Sequence, residues 1–206
     1  MVQQKLNVDT NSPTSDTLTA AALLQRSLEE HLEVIQATLR SQLEEIEAAG
    51  ALIRDTLLRG QKVLLCGNGG SAADAQHIAA ELVGIYEAQR LAWPAIALTT
   101  DTSALTAISN DYGYEEVFAR QIAGLAVTGD VLIALSTSGA SPNILKAAGK
   151  ARELGCQTIA LTGGKGEPLA SSCDLAVVVP SQRTSRIQEC HITIGHLWCE
   201  LIDAEL

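Results

Sequence analysis

The chain has 206 residues, 47% of them hydrophobic, with a formal net charge of −10 and a pI near 4.8. That is enough for one α/β domain with a true core, and the scarcity of Lys and Arg argues against a surface that tracks nucleic-acid phosphates. Five scattered cysteines (Cys66, Cys156, Cys173, Cys190, Cys199) form no CxxC pair, so neither a disulfide framework nor a thiolate zinc site is expected.

Residues 1–16, MVQQKLNVDTNSPTSD, are polar and turn-rich and read as a disordered tail. They show no basic and apolar leader, and no apolar run of ~18 residues occurs, so a cytoplasmic protein without membrane contact is expected. From Thr17 to Leu58 apolar residues recur at helical spacing (Leu24, Leu28, Leu32, Ile35, Leu39, Leu43, Ile46, Ile53, Leu57). The spacing predicts a helical arm of two helices, or one long kinked one, ending at Gly60. Its apolar surface exceeds what one face of a small sheet covers, which suggests packing against other copies of the chain; an ordinary helical cap on the sheet is the competing reading.

The apolar run Val63–Leu65 stops at Gly67-Asn68-Gly69-Gly70, and an alanine-rich helical pattern begins at Ser71. Such a strand, glycine loop and helix turn backbone N–H groups and the positive end of a helix dipole toward one point, where an anion can settle. The loop is a poor dinucleotide fingerprint, because GNGG lacks the third glycine at its proper offset. His77 and Glu81 follow, four residues apart and so about 40° apart around the helix, a geometry suited to gripping one metal ion. The alternative for this pair is a solvated helix contact.

Pro94–Leu98 reads as a second strand, followed by a short helix to Ile108, a turn at Asn110-Asp111-Tyr112-Gly113 and a helix from Tyr114 to Ala126. Val131–Leu135, Thr158–Leu161 and Leu175–Val179 read as the third, fourth and fifth strands, with helices between them and a closing helix from Ser185 to Leu206. The alternation predicts an α/β fold: a doubly wound, five-stranded parallel sheet with an N-terminal helical extension, one domain over residues 17–206 that includes the arm 17–60.

The third strand runs into Ser136-Thr137-Ser138-Gly139-Ala140-Ser141-Pro142-Asn143. Pro142 suits the first helical position and Ser141 the N-cap, so a helix starts beneath a cluster of hydroxyls. This reads as a second anion cradle. Neither loop contains a basic side chain, so recognition would rest on N–H and O–H donors. The closing helix carries Arg186, Gln188, Glu189, His191 and His196. Spacing pairs Gln188 best with His191, while His196 lies about 80° around and about 12 Å along; Gln188 and His196 could still meet one ion placed midway, and spacing does not choose between the two histidines.

Together CGNGGS with DAQHIAAEL, PAIALTTD, SNDYGY, GDVLIALSTSGASPN and SRIQECHITIGHLWCELID resemble the sugar isomerase (SIS) domain, and more closely the phosphoheptose isomerases, from about residue 20 to the C-terminus. The resemblance implies an αβα sandwich, a homotetramer and one zinc ion per subunit held by His77, Glu81, Gln188 and His196. It implies substrate contacts from Asn68, Gly69, Gly70, Ser71, Asn110, Asp111, Ser136, Thr137, Ser138 and Ser141, besides His77, Glu81 and Gln188. The reaction implied converts D-sedoheptulose 7-phosphate to D-glycero-D-manno-heptose 7-phosphate through a zinc-assisted enediolate, for heptose biosynthesis of the ADP-heptose or lipopolysaccharide type, with Glu81 as base and His196 as acid. Relatives often have arginine four residues after the glutamate, where this chain has Ile85; Arg90 matches a downstream basic position. The alternative is a non-enzymatic SIS-domain protein that binds the replication initiator protein, resembled through TTDTSALTAISND and RIQE. Retention of both Glu81 and His196 favours the enzyme.

Overall fold

The computed structural model describes residues 19–87 and 89–204. Its first element, α1 (Ala20–Leu58), is an unbroken helix of 39 residues, about 58 Å long. The expected division or kink does not occur. The stretch has no proline, and its one glycine, Gly50, faces Trp198 in a packing contact. The helix stops at Leu58, just before Gly60 with its φ of 76°. The tail 1–16 lies outside the described residues.

Five strands follow: β1 (Val63–Cys66), β2 (Ala95–Ala97), β3 (Val131–Ser136), β4 (Gln157–Gly163) and β5 (Leu175–Val179). All neighbours pair in parallel, in the order β2-β1-β3-β4-β5. β3 and β4 outrun their expected ends because each pairs on both sides, as far as Ser136↔Thr162 and Gly163↔Val179. Between the strands lie α2 (Gly70–Val83), α3 (Thr102–Tyr112), a 3-10 turn (Tyr114–Glu116) running into α4 (Val117–Leu125), α5 (Pro142–Glu153) and α6 (Leu169–Ser172). The closing helix is α7 (Thr184–Ala204). The expected helix from Tyr114 thus begins with one tighter turn.

Alternate strand residues feed two cores. Val63, Leu65, Ile133 and Leu135 meet Ile53, Leu57, Ile78, Leu82, Ile194 and Trp198 from α1, α2 and α7. Leu64, Leu132 and Ala134 meet Phe118, Ile122, Ile144 and Ala148 from α4 and α5. Each buried aliphatic or aromatic side chain stabilises by about 1.5–3 kcal/mol, so both faces of the sheet are held. At the edge strand β5, the Val178 N–H donates to Gln42 Oε1 of α1 at 2.6 Å, which keeps that group from pairing with a foreign strand. Among the described residues no helix is long and apolar enough to cross a membrane.

The strand order matters for the site. The chain leaves β1 for β2 on one side and returns to β3 on the other side of β1. The loops that follow β1 and β3 therefore part in opposite directions at the carboxyl edge and leave a crevice between them. α7 covers the same face of the sheet as α2 and packs against it.

Candidate active site

The crevice is a cavity of ≈ 290 Å³. Asn68, Gly69, Gly70, Ser71, Ser136, Thr137, Ser141 and Gln188 line it, with Leu135 and Thr184. Thus both anion-receptive loops and the closing helix converge, as their positions in the sequence suggest. Gly69 adopts a φ of 54° at the N-cap of α2, and a Cβ on Gly70 would lie 2.5 Å from Gln188 Nε2. Glycine at position 70 is what lets the Gln188 side chain close over the loop. Pro142 occupies the first turn of α5 behind the N-cap Ser141, as expected. The Ser141 hydroxyl makes no capping bond; it lies 3.2 Å from Ser136 Oγ at the cavity wall. The positive ends of α2 and α5 flank this space, a setting that favours an anion.

The two loops are tied together by side chains. Asn68 Oδ1 accepts from Asn143 Nδ2 at 2.9 Å and from the Tyr114 hydroxyl at 3.0 Å, while Asn68 Nδ2 donates to Asn143 Oδ1 at 2.9 Å. Both lone pairs of the Asn68 oxygen are used, so one amide hydrogen remains for a ligand. Five expected substrate residues lie away from the cavity wall: His77 and Glu81 further along α2, and Ser138, Asn110 and Asp111. Ser138 is exposed, its Oγ accepting from the Ala140 N–H at 3.3 Å. Asn110 and Asp111, exposed near the end of α3, bond each other at 2.8 Å.

Further along, α2 and α7 approach closely: a Cβ on Gly195 would lie 2.5 Å from Ile78 Cγ1. Within α2 His77 Nε2 lies 3.1 Å from Glu81 Oε1, and the contact between the helices brings it to 3.3 Å from His196 Nε2. The three donor atoms lie within 4.8 Å of one another. A tetrahedral zinc ion with ligands at about 2.0–2.1 Å needs donors about 3.3–3.4 Å apart, close to the two separations that involve His77. Gln188, eight residues before His196, lines the cavity about 12 Å along the helix.

The remaining members of the α7 cluster point elsewhere. His191 is fully buried, and its Nε2–H donates to the Thr162 carbonyl at 3.1 Å. Burial pushes its pKa down to about 4, against a smaller opposing effect of that hydrogen bond, so the ring is neutral. Arg186 donates to the Ser27 carbonyl at 2.6 Å, and Glu189 pairs with His31 at 2.7 Å; both residues fasten α7 to α1.

The SIS domain model matches residues 27–163. A phosphoheptose isomerase of Aliarcobacter butzleri is 55% identical over 176 residues, 85% of this chain and 93% of that protein. The chain belongs to the phosphoheptose isomerase family. It is accordingly an enzyme, a sugar isomerase. The structure of the Neisseria gonorrhoeae phosphoheptose isomerase superimposes with a TM-score of 0.86 at 43% identity, covering 90% of this chain and 100% of that one. That of the Francisella tularensis phosphoheptose isomerase gives 0.87 at 38% identity, covering 90% and 99%.

One side chain near His77 escapes a reading of the sequence. Asp74 lies on α2 between Gly70 and His77, with one carboxylate oxygen closed to solvent and without a hydrogen-bond partner. Burial pushes its pKa up to about 6, opposed by the nearby His77. The signal was present as spacing, since residues 74, 77 and 81 fall at i, i+3 and i+7 on one helix face.

Proposed function

We propose that this enzyme interconverts D-sedoheptulose 7-phosphate and D-glycero-D-manno-heptose 7-phosphate in heptose biosynthesis, with one zinc ion per chain held by His77, Glu81, Gln188 and His196. The observation that carries the reading is the His77–Glu81–His196 cluster beside a cavity flanked by two helix N-termini. The phosphate is assigned to the cavity, where the Ser136, Thr137 and Ser141 hydroxyls and the N–H groups of the two loops supply donors without a basic side chain, joined by the hydroxyl of Ser138 from the same loop once the ligand is bound. Gly70 and His77 are about 10 Å apart along α2, the scale of an extended seven-carbon sugar phosphate. With the phosphate at Gly70, C1 and C2 of the sugar therefore come near Glu81.

Moving a proton between C1 and C2 requires a base, a group that returns the proton, and stabilisation of the negative charge that develops on the sugar oxygens. Glu81 is assigned as the base: Oε1 faces His77 Nε2, and Oε2 takes the proton from carbon and returns it to the neighbouring carbon. Bound zinc supplies Lewis acidity at the developing enediolate charge. The facing of His196 Nε2 toward His77 supports a ligand role for that nitrogen, which leaves Nδ1 for any acid role. Asn68, held on two sides by Asn143 and Tyr114, offers its remaining amide N–H to a sugar hydroxyl.

A homotetramer is part of the same proposal. Leu24, Leu28, Leu32, Leu39 and Leu43 on α1 are each more than half exposed, an apolar stripe suited to burial against other copies. Light scattering at four times the 21.7 kDa chain mass is expected, and a monomer would contradict it. The function itself is tested by incubating zinc-loaded protein with sedoheptulose 7-phosphate in deuterated water. Aldose product with deuterium at C2 is expected; absence of any aldose product defeats the assignment.

A further inference from the structure

The residues of the metal cluster come from two helices, and one side chain spans both just beyond it. Arg90, in the segment after α2, is turned inward with 5% of its side chain exposed, against Asp203 with 6%. Its Nε donates to Asp203 Oδ1 at 2.6 Å, Nη2 to the carbonyl of Glu81 at 2.8 Å and Nη1 to the carbonyl of Leu82 at 2.9 Å. Longer contacts reach the carbonyls of Leu91 at 3.2 Å and Gly84 at 3.4 Å. The second Asp203 oxygen accepts from the Glu87 N–H at 3.1 Å.

We propose that Arg90 and Asp203 are positioning residues of the metal centre, which hold Glu81 on α2 at a fixed offset from His196 on α7 and thereby set the affinity for the ion. This inference rests on the zinc reading above. The last carbonyls of α2 lack partners within the helix, and a guanidinium supplies both the donors and the positive charge that this end favours. One of the carbonyls it holds belongs to Glu81 itself, so the backbone of a proposed ligand is fixed directly. Asp203 lies seven residues after His196 and therefore on the same face of α7. A planar fork can grip a carboxylate and two carbonyls in fixed directions, which a lysine ammonium does not reproduce. Replacing a buried ion pair by apolar residues is often close to neutral for stability, so a variant without this pair is expected to fold.

The test measures binding of zinc alone, by chelator competition, and the visible absorption of the cobalt(II)-loaded protein. It compares the wild type with Arg90→Lys and with the double variant Arg90→Met/Asp203→Leu. Both variants are expected to bind zinc about 10- to 100-fold more weakly, with an altered cobalt spectrum, while the double variant keeps a cooperative melt. Lys62→Met is the control. It breaks a distant buried pair, Lys62 Nζ to Asp130 Oδ2 at 2.6 Å, and is expected to lower the melting temperature without changing zinc affinity. Wild-type zinc affinity and cobalt spectrum in Arg90→Lys, or in a folded double variant, overturn the proposal. A wild-type protein that binds neither cation, or whose zinc binding survives His77→Ala, overturns the metal reading and this inference with it.

Discussion

His191 and His196 lie on one helix, five residues apart, and meet opposite surroundings. His191 faces the sheet, fully buried, with its Nε2–H on the Thr162 carbonyl of β4. His196 faces α2 and is partly open to solvent, its Nε2 3.3 Å from His77 Nε2. What separates them is the element packed against each side of α7. β4 presents a hydrogen-bond acceptor and a dry core, which hold a neutral ring in place; α2 presents a second imidazole and a carboxylate, which gather three donor side chains at one point. Each face of a helix takes its chemistry from its neighbour.

The largest effect is expected on the α2 side. Glu81→Gln keeps one oxygen for a cation but cannot accept a proton, so turnover should fall by at least about 10³-fold while part of the zinc is retained. Elemental analysis beside the turnover number checks this, and a variant with near-normal turnover removes Glu81 as the base. A smaller effect is expected at the anion loop. Ser138→Ala should raise KM by roughly tenfold with the fold intact, the cost of one hydrogen bond to a charged group. Ser138 is exposed in the free protein, so an unchanged KM would confine phosphate recognition to Ser136, Thr137 and Ser141 at the cavity wall.

The core histidine leaves turnover aside and is read in stability alone. The folded pKa of His191 is depressed to about 4, below the ordinary ~6.5. Above ~6.5 the ring is neutral in both states and its contribution is fully present. Between about 6.5 and 4 the unfolded chain takes up a proton that the folded protein refuses, so stability falls as pH falls, by up to about 1.4 kcal/mol per unit. Denaturant melts of the chelator-treated protein should show this slope, and His191→Gln, which keeps a donor for the Thr162 carbonyl, should flatten it. Equal slopes in the two proteins would show that His191 is not the group responsible.

Much of this arrangement is legible in the sequence because it follows from local pattern. Apolar runs bounded by glycine mark β1, β3 and β4, and Ser141-Pro142 marks the start of α5. The continuity of α1 is less legible, since Ser27, Ser41 and Gly50 inside it are residue types that also begin or end helices, and only the packing of the helix decides the matter. The choice between His191 and His196 has no local signal, because both satisfy helical geometry and only the packing of α2 and β4 separates them. The Asn68–Asn143–Tyr114 tie and the Arg90–Asp203 pair join residues far apart in the chain, so no periodicity announces them.

The central claim is that the centre lies where α2 meets the His196 face of α7. It is tested most directly by zinc content and turnover, measured together in His196→Ala and His191→Gln. His196→Ala is expected to lose both, and His191→Gln to keep most of both with a lower melting temperature. An active, zinc-loaded His196→Ala, or a folded His191→Gln without metal and activity, would contradict the account and move the centre to the Gln188/His191 face.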